Sequence, residues 1–333
     1  METKKIYSRK LYSQITVATI LMVAAFIISI GVGRYPISVR EICNIILGND
    51  VREMTRNVFY ALRLPRSIMV LLAGVGLSVS GSVYQTIFKN PLATPDIIGV
   101  SSGANLGAAV SIIFFGGSTI SITAFAFLGG LGAVFIALAL TKISKNRNIS
   151  TFVLAGISVG SLTQGFIMFL KYIADPEREL AAIEFWTMGS FASITSNKVF
   201  SILPYFTIGI FVLFFLRWQI NVLSLSDEEA KSLGVKVDII RIIIIIAATL
   251  VVASIVSVTG FISFIGLIGP HIARMVTKKN DYNTTILSAL VGAIILLVAD
   301  TLARSMASSE IPISILTTFI GSPFLAYLMS RLK

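Results

Sequence analysis

One cysteine, Cys43, and one histidine, His271, stand among 333 residues. A single thiol excludes an internal disulfide and any multi-cysteine metal site. A lone imidazole supplies neither a ligand set nor a triad, so His271 reads as structural. Charge is scarce as well. Charged residues make up 13% of the chain against roughly 25% in a soluble domain, so water is not the main solvent of this surface. No Gly-x-x-x-x-Gly-Lys-Ser/Thr run occurs, which removes the usual phosphate-cradling loop. The net charge of +11 is not gathered into basic patches interleaved with aromatics, and this argues against nucleic-acid binding. No catalytic residue, metal or cofactor is implied.

What the chain has in excess is apolar length. Hydrophobic residues make up 55% of it, and a membrane-crossing helix needs about 20 of them in succession. Ten stretches qualify: Ile15–Val32, Ile68–Phe88, Ile97–Phe115, Ile120–Leu140, Thr151–Leu170, Phe200–Leu216, Ile239–Val258, Phe261–Ile272, Thr285–Ala299 and Ile311–Leu328. The eighth is short and interrupted by Gly266, Gly269 and Pro270, which is tolerated where protein rather than lipid surrounds the helix. The first reads as a span, not a removable leader, because Gly31-Val-Gly33 runs into Arg-Tyr-Pro with no small-residue cleavage site. The expected fold is all-α and polytopic, a single transmembrane domain over residues 1–333 with about ten spans.

Lysine and arginine placement sets the orientation. With the N-terminus inside, most of the 27 basic residues fall on inner segments, among them Lys4, Lys5, Arg9, Lys10, Lys89, Lys142, Lys145, Arg147, Lys278, Lys279, Arg331 and Lys333. Both termini are then cytoplasmic in a cell-membrane protein. Small residues recur four apart, as Gly99, Gly103 and Gly107, Gly156 and Gly160, and Gly74, Ser78 and Ser82. Such rows let helix backbones approach closely. They serve simple packing or, alternatively, sliding during a transport cycle. No Asp, Glu, Lys or Arg lies near the middle of a span, only groups such as Asn105 and Gln164. Ion-coupled transporters generally need ionisable groups at depth, so uphill movement would draw its energy from an ATP-driven partner.

Between the sixth and seventh spans lies a polar helix signal, Ser226-Asp-Glu-Glu-Ala-Lys-Ser-Leu-Gly234. Ser226 is an N-cap and Glu229 completes a capping box. Asp227 and Glu228 complement the helix dipole in the first turn, and Gly234 closes the helix. Leu225, Ala230 and Leu233 fall to one side. The segment is either a solvated loop helix or a docking element for a soluble partner.

Several segments carry a resemblance. They are Arg63-Leu-Pro-Arg66, Asn90-Pro-Leu-Ala-Thr-Pro-Asp-Ile-Ile-Gly99, the Ser226–Gly234 helix, Gly260-Phe-Ile-Ser-Phe-Ile-Gly-Leu-Ile-Gly-Pro-His-Ile-Ala-Arg274 and Glu310-Ile-Pro-Ile-Ser-Ile-Leu-Thr-Thr-Phe-Ile-Gly-Ser-Pro-Phe324. With them the whole chain resembles the permease subunits of ABC importers for iron-siderophores, haem and cobalamin. Ser226, Ser314 and Ser322 stand where that family usually has glycine, glycine and alanine. The resemblance implies a second permease, identical or paralogous. It also implies two ATP-binding subunits beneath the pair and an extracytoplasmic substrate-binding protein above. Ser226, Asp227, Glu228, Glu229, Ala230, Leu233 and Gly234 would form the coupling helix seated in the ATPase.

Three arginines, Arg63, Arg66 and Arg304, fall at outer span ends against the positive-inside bias. They anchor headgroups or pair internally, with Asp300 one turn before Arg304. Alternatively they form a socket for acidic residues of the binding protein, which the resemblance supports. Asn90, Pro91 and Leu92 form an ordinary inner turn or, by resemblance, a cytoplasmic gate. Pro270, His271 and Arg274 read as inner surface facing the ATPase. Asp175, Glu177, Arg178, Glu179 and Glu184 form a mixed-charge outer loop. The leading function is an ATP-driven importer of a ferric siderophore or similar metal chelate working by alternating access. Haem or cobalamin permeases of the same family, an ion-coupled transporter and a passive channel are the alternatives.

Overall fold

The computed structural model describes residues 2–144, 149–306 and 309–331. Of the positions assigned to the inner face, Lys145, Arg147 and Lys333 lie outside the described residues, as do the side chains of Lys4, Lys5, Arg9, Lys10 and Arg331. Among the described residues every regular element is helical. In chain order they are α1 (Glu2–Gly31), α2 (Val39–Ile46), α3 (Glu53–Asn57), a π-helical turn (Val58–Arg63), α4 (Leu64–Ile87), a 3-10 turn (Pro95–Ile98), α5 (Val100–Phe114), α6 (Thr119–Ile143) and α7 (Ile149–Ile173). There follow a second π-helical turn (Pro176–Leu180), α8 (Ala181–Thr187), α9 (Ser196–Phe215), α10 (Arg217–Val222), α11 (Asp227–Ser232), α12 (Val237–Thr259), α13 (Ile265–Thr277), α14 (Tyr282–Ala303) and α15 (Ile313–Arg331).

Seven of these helical stretches are long and apolar enough to cross a membrane: Leu11–Gly31, Glu53–Ile87, Thr119–Ile143, Ile149–Ile173, Ser196–Phe215, Val237–Thr259 and Tyr282–Ala303. The expected third, eighth and tenth spans fall on α5, α13 and α15, which are not among these seven. Pro91 and Pro95 cannot continue α4, and the chain passes through a 3-10 turn to Gly99 at φ +88° before α5 begins. That left-handed position suits glycine because a Cβ would crowd the backbone. Helix α13 is bracketed by left-handed Phe264 and Lys278. Its 13 residues rise only about 20 Å. Helix α15 carries Pro323 inside it.

The chain packs as two compact units, Met1–Val79 with Ser190–Ser201 and Ser263–Lys333, and Ser80–Gly189 with Ile202–Ile262. In the first, α14 is the common neighbour of α1, α13 and α15. A Cβ on Gly74 would lie 2.5 Å from the Ala293 Cα, so α4 and α14 meet backbone to backbone. Ser78 sits in the same seam, donates to the Ile265 carbonyl and accepts from Ser288. In the second unit, α5 lies hard against α6. A Cβ on Gly103 would stand 2.3 Å from the Gly129 carbonyl oxygen, and one on Gly107 would stand 2.0 Å from that of Phe125. These rows are therefore occupied by packing. Gly160 differs, since a Cβ there would meet only Ser102 Oγ at 3.9 Å.

Candidate functional site: a pinned loop helix and an arginine cluster

Helix α11 begins as its residues dictate. Ser226 Oγ accepts from the Glu229 N–H at 3.2 Å, while Glu229 Oε2 accepts from the Ser226 N–H at 2.9 Å and its hydroxyl at 2.7 Å. Those bonds hold the Glu229 carboxyl below its ordinary value. A cap of this kind contributes about 1 kcal/mol to the helix. Gly234 closes it at φ +82°.

Asp227 does more than complement the dipole. Arg241 Nη2 of α12 donates to both of its carboxylate oxygens, at 2.9 and 3.0 Å, and Lys89 Nζ donates to Oδ1 at 3.0 Å. Arg241 is fully buried, and among the described residues its Nε and Nη1 have no hydrogen-bond partner. Its charge therefore rests on Asp227. Burial by itself pushes the Asp227 carboxyl upward, but the bonds and charges of Lys89 and Arg241 outweigh it and hold the group below the usual carboxylate value. The stabilisation is present above the unfolded value, about 3.9, and is lost as pH falls through the lower folded value. Ala230, one turn from Asp227, is fully buried, whereas Leu225 is 42% and Leu233 53% exposed. The three residues expected on one apolar side are thus split. Asp227 and Ala230 form the inward face, and the two leucines and Glu228 face away.

Lys89 ends α4 in an unusual way. The Lys89 N–H donates to the Thr86 carbonyl and the Asn90 N–H to that of Gln85, the paired bonds of a Schellman closure. The residue at its left-handed position is a lysine at φ +52°, where a non-glycine residue costs roughly 1–2 kcal/mol. Just beyond, Asn90 Oδ1 accepts from the Leu92 N–H at 2.9 Å. Asn90, Pro91 and Leu92 are all exposed.

The arginines occupy the first unit. Arg66 donates from Nε and Nη2 to Asp300 at 3.1 and 2.9 Å, and from Nη1 to both oxygens of Glu310 at 2.8 Å. Arg304 faces Asp300 at 3.3 Å and donates to the carbonyl and hydroxyl of Ser29. Asp300 is buried and so is Arg304. Internal pairing thus occupies Arg66 and Arg304. Arg63 stands apart, donating to the Val32 and Tyr35 carbonyls with no carboxylate bonded to it among the described residues. Its guanidinium fills the space over Gly33, where a Cβ would lie 2.0 Å from Nη2.

Pro270 is buried in α13, His271 packs edge-on against Phe324 at 5.9 Å, and Arg274 is half-buried. These three belong to the first unit, while Asn90–Leu92 and the loop helix belong to the second. Asp175 caps the π-helical turn after α7, and Glu184 pairs with Lys171 at 2.8 Å. The reading of the sequence missed Lys89, Arg241 and Glu310 as members of these clusters. Arg241 left a signal, for it heads five consecutive isoleucines, and an arginine entering such a run needs a partner.

Seven long apolar helices with shorter ones beside them define a multi-pass helical membrane protein. The chain belongs to the FecCD transport family, whose model matches residues 21–331. It is 37% identical over 319 residues to the molybdate import system permease protein MolB of Haemophilus influenzae, covering 95% of this chain and 94% of that one. It is 36% identical over 333 residues to the Fe(3+)-citrate import system permease protein YfmE of Bacillus subtilis, covering 98% and 97%. A solved transporter described as of the metal-chelate ABC type, in an inward-facing conformation, superposes with a TM-score of 0.87 at 36% identity over 96% of this chain and 99% of that one. The protein is the permease component of an ABC transporter, a transport subunit and not an enzyme.

Proposed function

We propose that this permease carries a ferric siderophore or similar metal chelate into the cytoplasm by alternating access, driven by ATP hydrolysis in separate subunits. The observation that carries the reading is α11. It is capped, tied down through Asp227, and presents Leu225 and Leu233 outward on a chain with no Asp, Glu, Lys or Arg at mid-depth of its described long spans. Ten spans result if α5, α13 and α15 also lie in the bilayer. Both termini and the loop helix are then cytoplasmic, and residues 1–333 form one transmembrane domain. Two such permeases, identical or paralogous, sit above two ATP-binding subunits, with Leu225, Glu228 and Leu233 meeting the ATPase. Asn90–Leu92 serves as the inner gate, and Pro270, His271 and Arg274 lie on the inner surface. ATP can drive the cycle only because cargo and receptor bind the outward and inward states with different free energy.

Cargo is the finer question. The relatives named for Fe(3+)-citrate and metal chelates favour iron complexes, while the one named for molybdate favours a bare oxyanion as the second reading. In vesicles holding permease, ATPase and receptor, radioactive iron offered with a panel of siderophores is expected to accumulate only with ATP, and radioactive molybdate is not. The Leu225→Ser/Leu233→Ser variant should lose ATPase co-purification and uptake together, with the permease itself still folded. Accumulation without any nucleotide-consuming component, or unchanged ATPase binding by the variant, would overturn the reading.

An extracytoplasmic binding protein delivers the cargo to the arginine end. Arg66 and Arg304 are engaged internally, so Arg63 is the residue on which receptor docking can be tested. Arg63→Glu is expected to weaken receptor binding at least about tenfold, the scale of one charge-assisted contact, and to leave ATPase association intact. Titration of labelled receptor onto the purified complex checks this, and unchanged affinity removes Arg63 from the docking surface.

A further inference from the structure

We propose that Lys89 and Asp227 form the strap through which movement of the loop helix α11 reaches the Lys89–Leu92 turn and the end of α4, with the Asp227–Arg241 pair holding α11 to α12. The inference rests on the reading of α11 as the ATPase-docking helix.

Three observations carry it. First, the two ion pairs on Asp227 are physically unlike. The side chain of Arg241 is 0% exposed and pairs with no other carboxylate among the described residues, whereas those of Lys89 and Asp227 are 31% and 36% exposed. A buried cation does not exchange its one counter-ion for water, because desolvated charge without a partner is strongly unfavourable. An exposed lysine does so readily. Asp227 is thus tied permanently to α12 and reversibly to the turn after α4.

Second, the lysine occupies a backbone position that glycine would fill with less strain. Its φ is +52° at the closure of α4, where glycine is the usual residue. Strain of this kind persists where the side chain is needed, and an observed outlier is a reason to look for its use. The one ion pair of this side chain in the described structure is the bond to Asp227.

Third, the turn that Lys89 opens is short and exposed, so it can follow a pull. Asn90, Pro91 and Leu92 are solvent-facing, and the turn is braced internally by the Asn90–Leu92 and Asn90–Ala93 bonds. It is a small rigid piece attached by one charged arm to the helix that a partner would push. If α11 shifts together with α12, to which the Asp227–Arg241 pair holds it, the Lys89 ammonium is drawn with the Asp227 carboxylate and carries the turn along. A loop helix held to α12 alone would shift without moving the turn.

Lys89→Gly separates this role from a structural one, because glycine suits the left-handed position and keeps α4 closed. In a Cys43→Ser background the chain is free of cysteine, so spin labels can be placed singly. One pair, Lys231→Cys with Leu154→Cys, follows the loop helix against α7. A second pair, Leu92→Cys with Leu154→Cys, follows the turn. Leu154 is exposed on α7 within the same unit. In the assembled transporter, trapping with ATP and vanadate is expected to shift both distances. In Lys89→Gly the first shift persists and the second is lost, and Lys89→Arg restores the second. An undiminished Leu92 shift in Lys89→Gly overturns the strap alone. A wild-type complex in which the Lys231 distance does not respond to ATP overturns the docking reading, and the strap with it.

Discussion

Asp300→Ala is expected to destabilise the protein by about 3–5 kcal/mol, the cost of leaving buried charge without its partner. Asp300 is buried and faces two arginines at once. Its oxygens accept from Arg66 at 2.9 and 3.1 Å and lie 3.3 Å from Arg304. Without it Arg66 keeps Glu310. Among the described residues Arg304 keeps only the Ser29 oxygens and a long contact to Thr301, none of which carries charge. The unfolding temperature in detergent should fall sharply for Asp300→Ala and about as far for Asp300→Asn, which keeps the shape but not the charge. Removing both ends with Asp300→Asn/Arg304→Met should recover part of the loss, since replacing a buried pair by apolar bulk is often neutral. An unchanged unfolding temperature in Asp300→Ala would show that the cluster does not hold this end of α14 to α4. The same reasoning changes what Arg66→Glu can reveal. It would set a third carboxylate beside Asp300 and Glu310 and disturb the fold before any docking was tested.

Gly107→Leu should leave little or no folded protein. A Cβ there falls 2.0 Å from the Phe125 carbonyl oxygen and 2.6 Å from its carbon. The obstruction is backbone, which no rotamer change relieves, so α5 and α6 must separate along the seam that also holds Gly103 against Gly129. Overpacking a core by a methylene or two already costs about 1–3 kcal/mol, and this substitution adds a whole side chain against main chain. Size-exclusion recovery of a tagged chain is the measurement. Gly132→Ala and Gly165→Ala, whose Cβ atoms meet nothing within 4 Å, are the contrast. Each should be neutral or stabilising by up to about 1 kcal/mol, the helix propensity of alanine over glycine. Normal recovery of Gly107→Leu would refute the close contact.

The loop helix shows how far local chemistry reaches. Its start at Ser226 and its stop at Gly234 follow from residues within one or two turns of each other, because caps and left-handed closures are short-range bonds. Which face it turns inward was not legible. Spacing put Leu225, Ala230 and Leu233 together, yet Asp227 and Ala230 are the inner pair, since Arg241, fourteen positions on, draws Asp227 inward. The arginine cluster repeats the lesson. Asp300 and Arg304 are one helical turn apart and could be paired on paper, but Glu310 and Ser29 reach Arg66 and Arg304 only through the packing of α1, α4 and α14. Helix boundaries were also hidden: the third apolar run starts at Ile97, but Pro95 and left-handed Gly99 delay α5 to Val100.

By itself the amino-acid order determined the solvent of this protein, the helical nature of its apolar stretches and the capped helix between the sixth and seventh of them. Each of these depends on composition or on bonds between near neighbours along the chain. Tertiary structure alone decided which charges neutralise one another, which glycines touch a neighbouring backbone and which side of α11 is left bare. Those outcomes depend on distances between residues far apart in the chain, and only the packed helices bring such residues within reach.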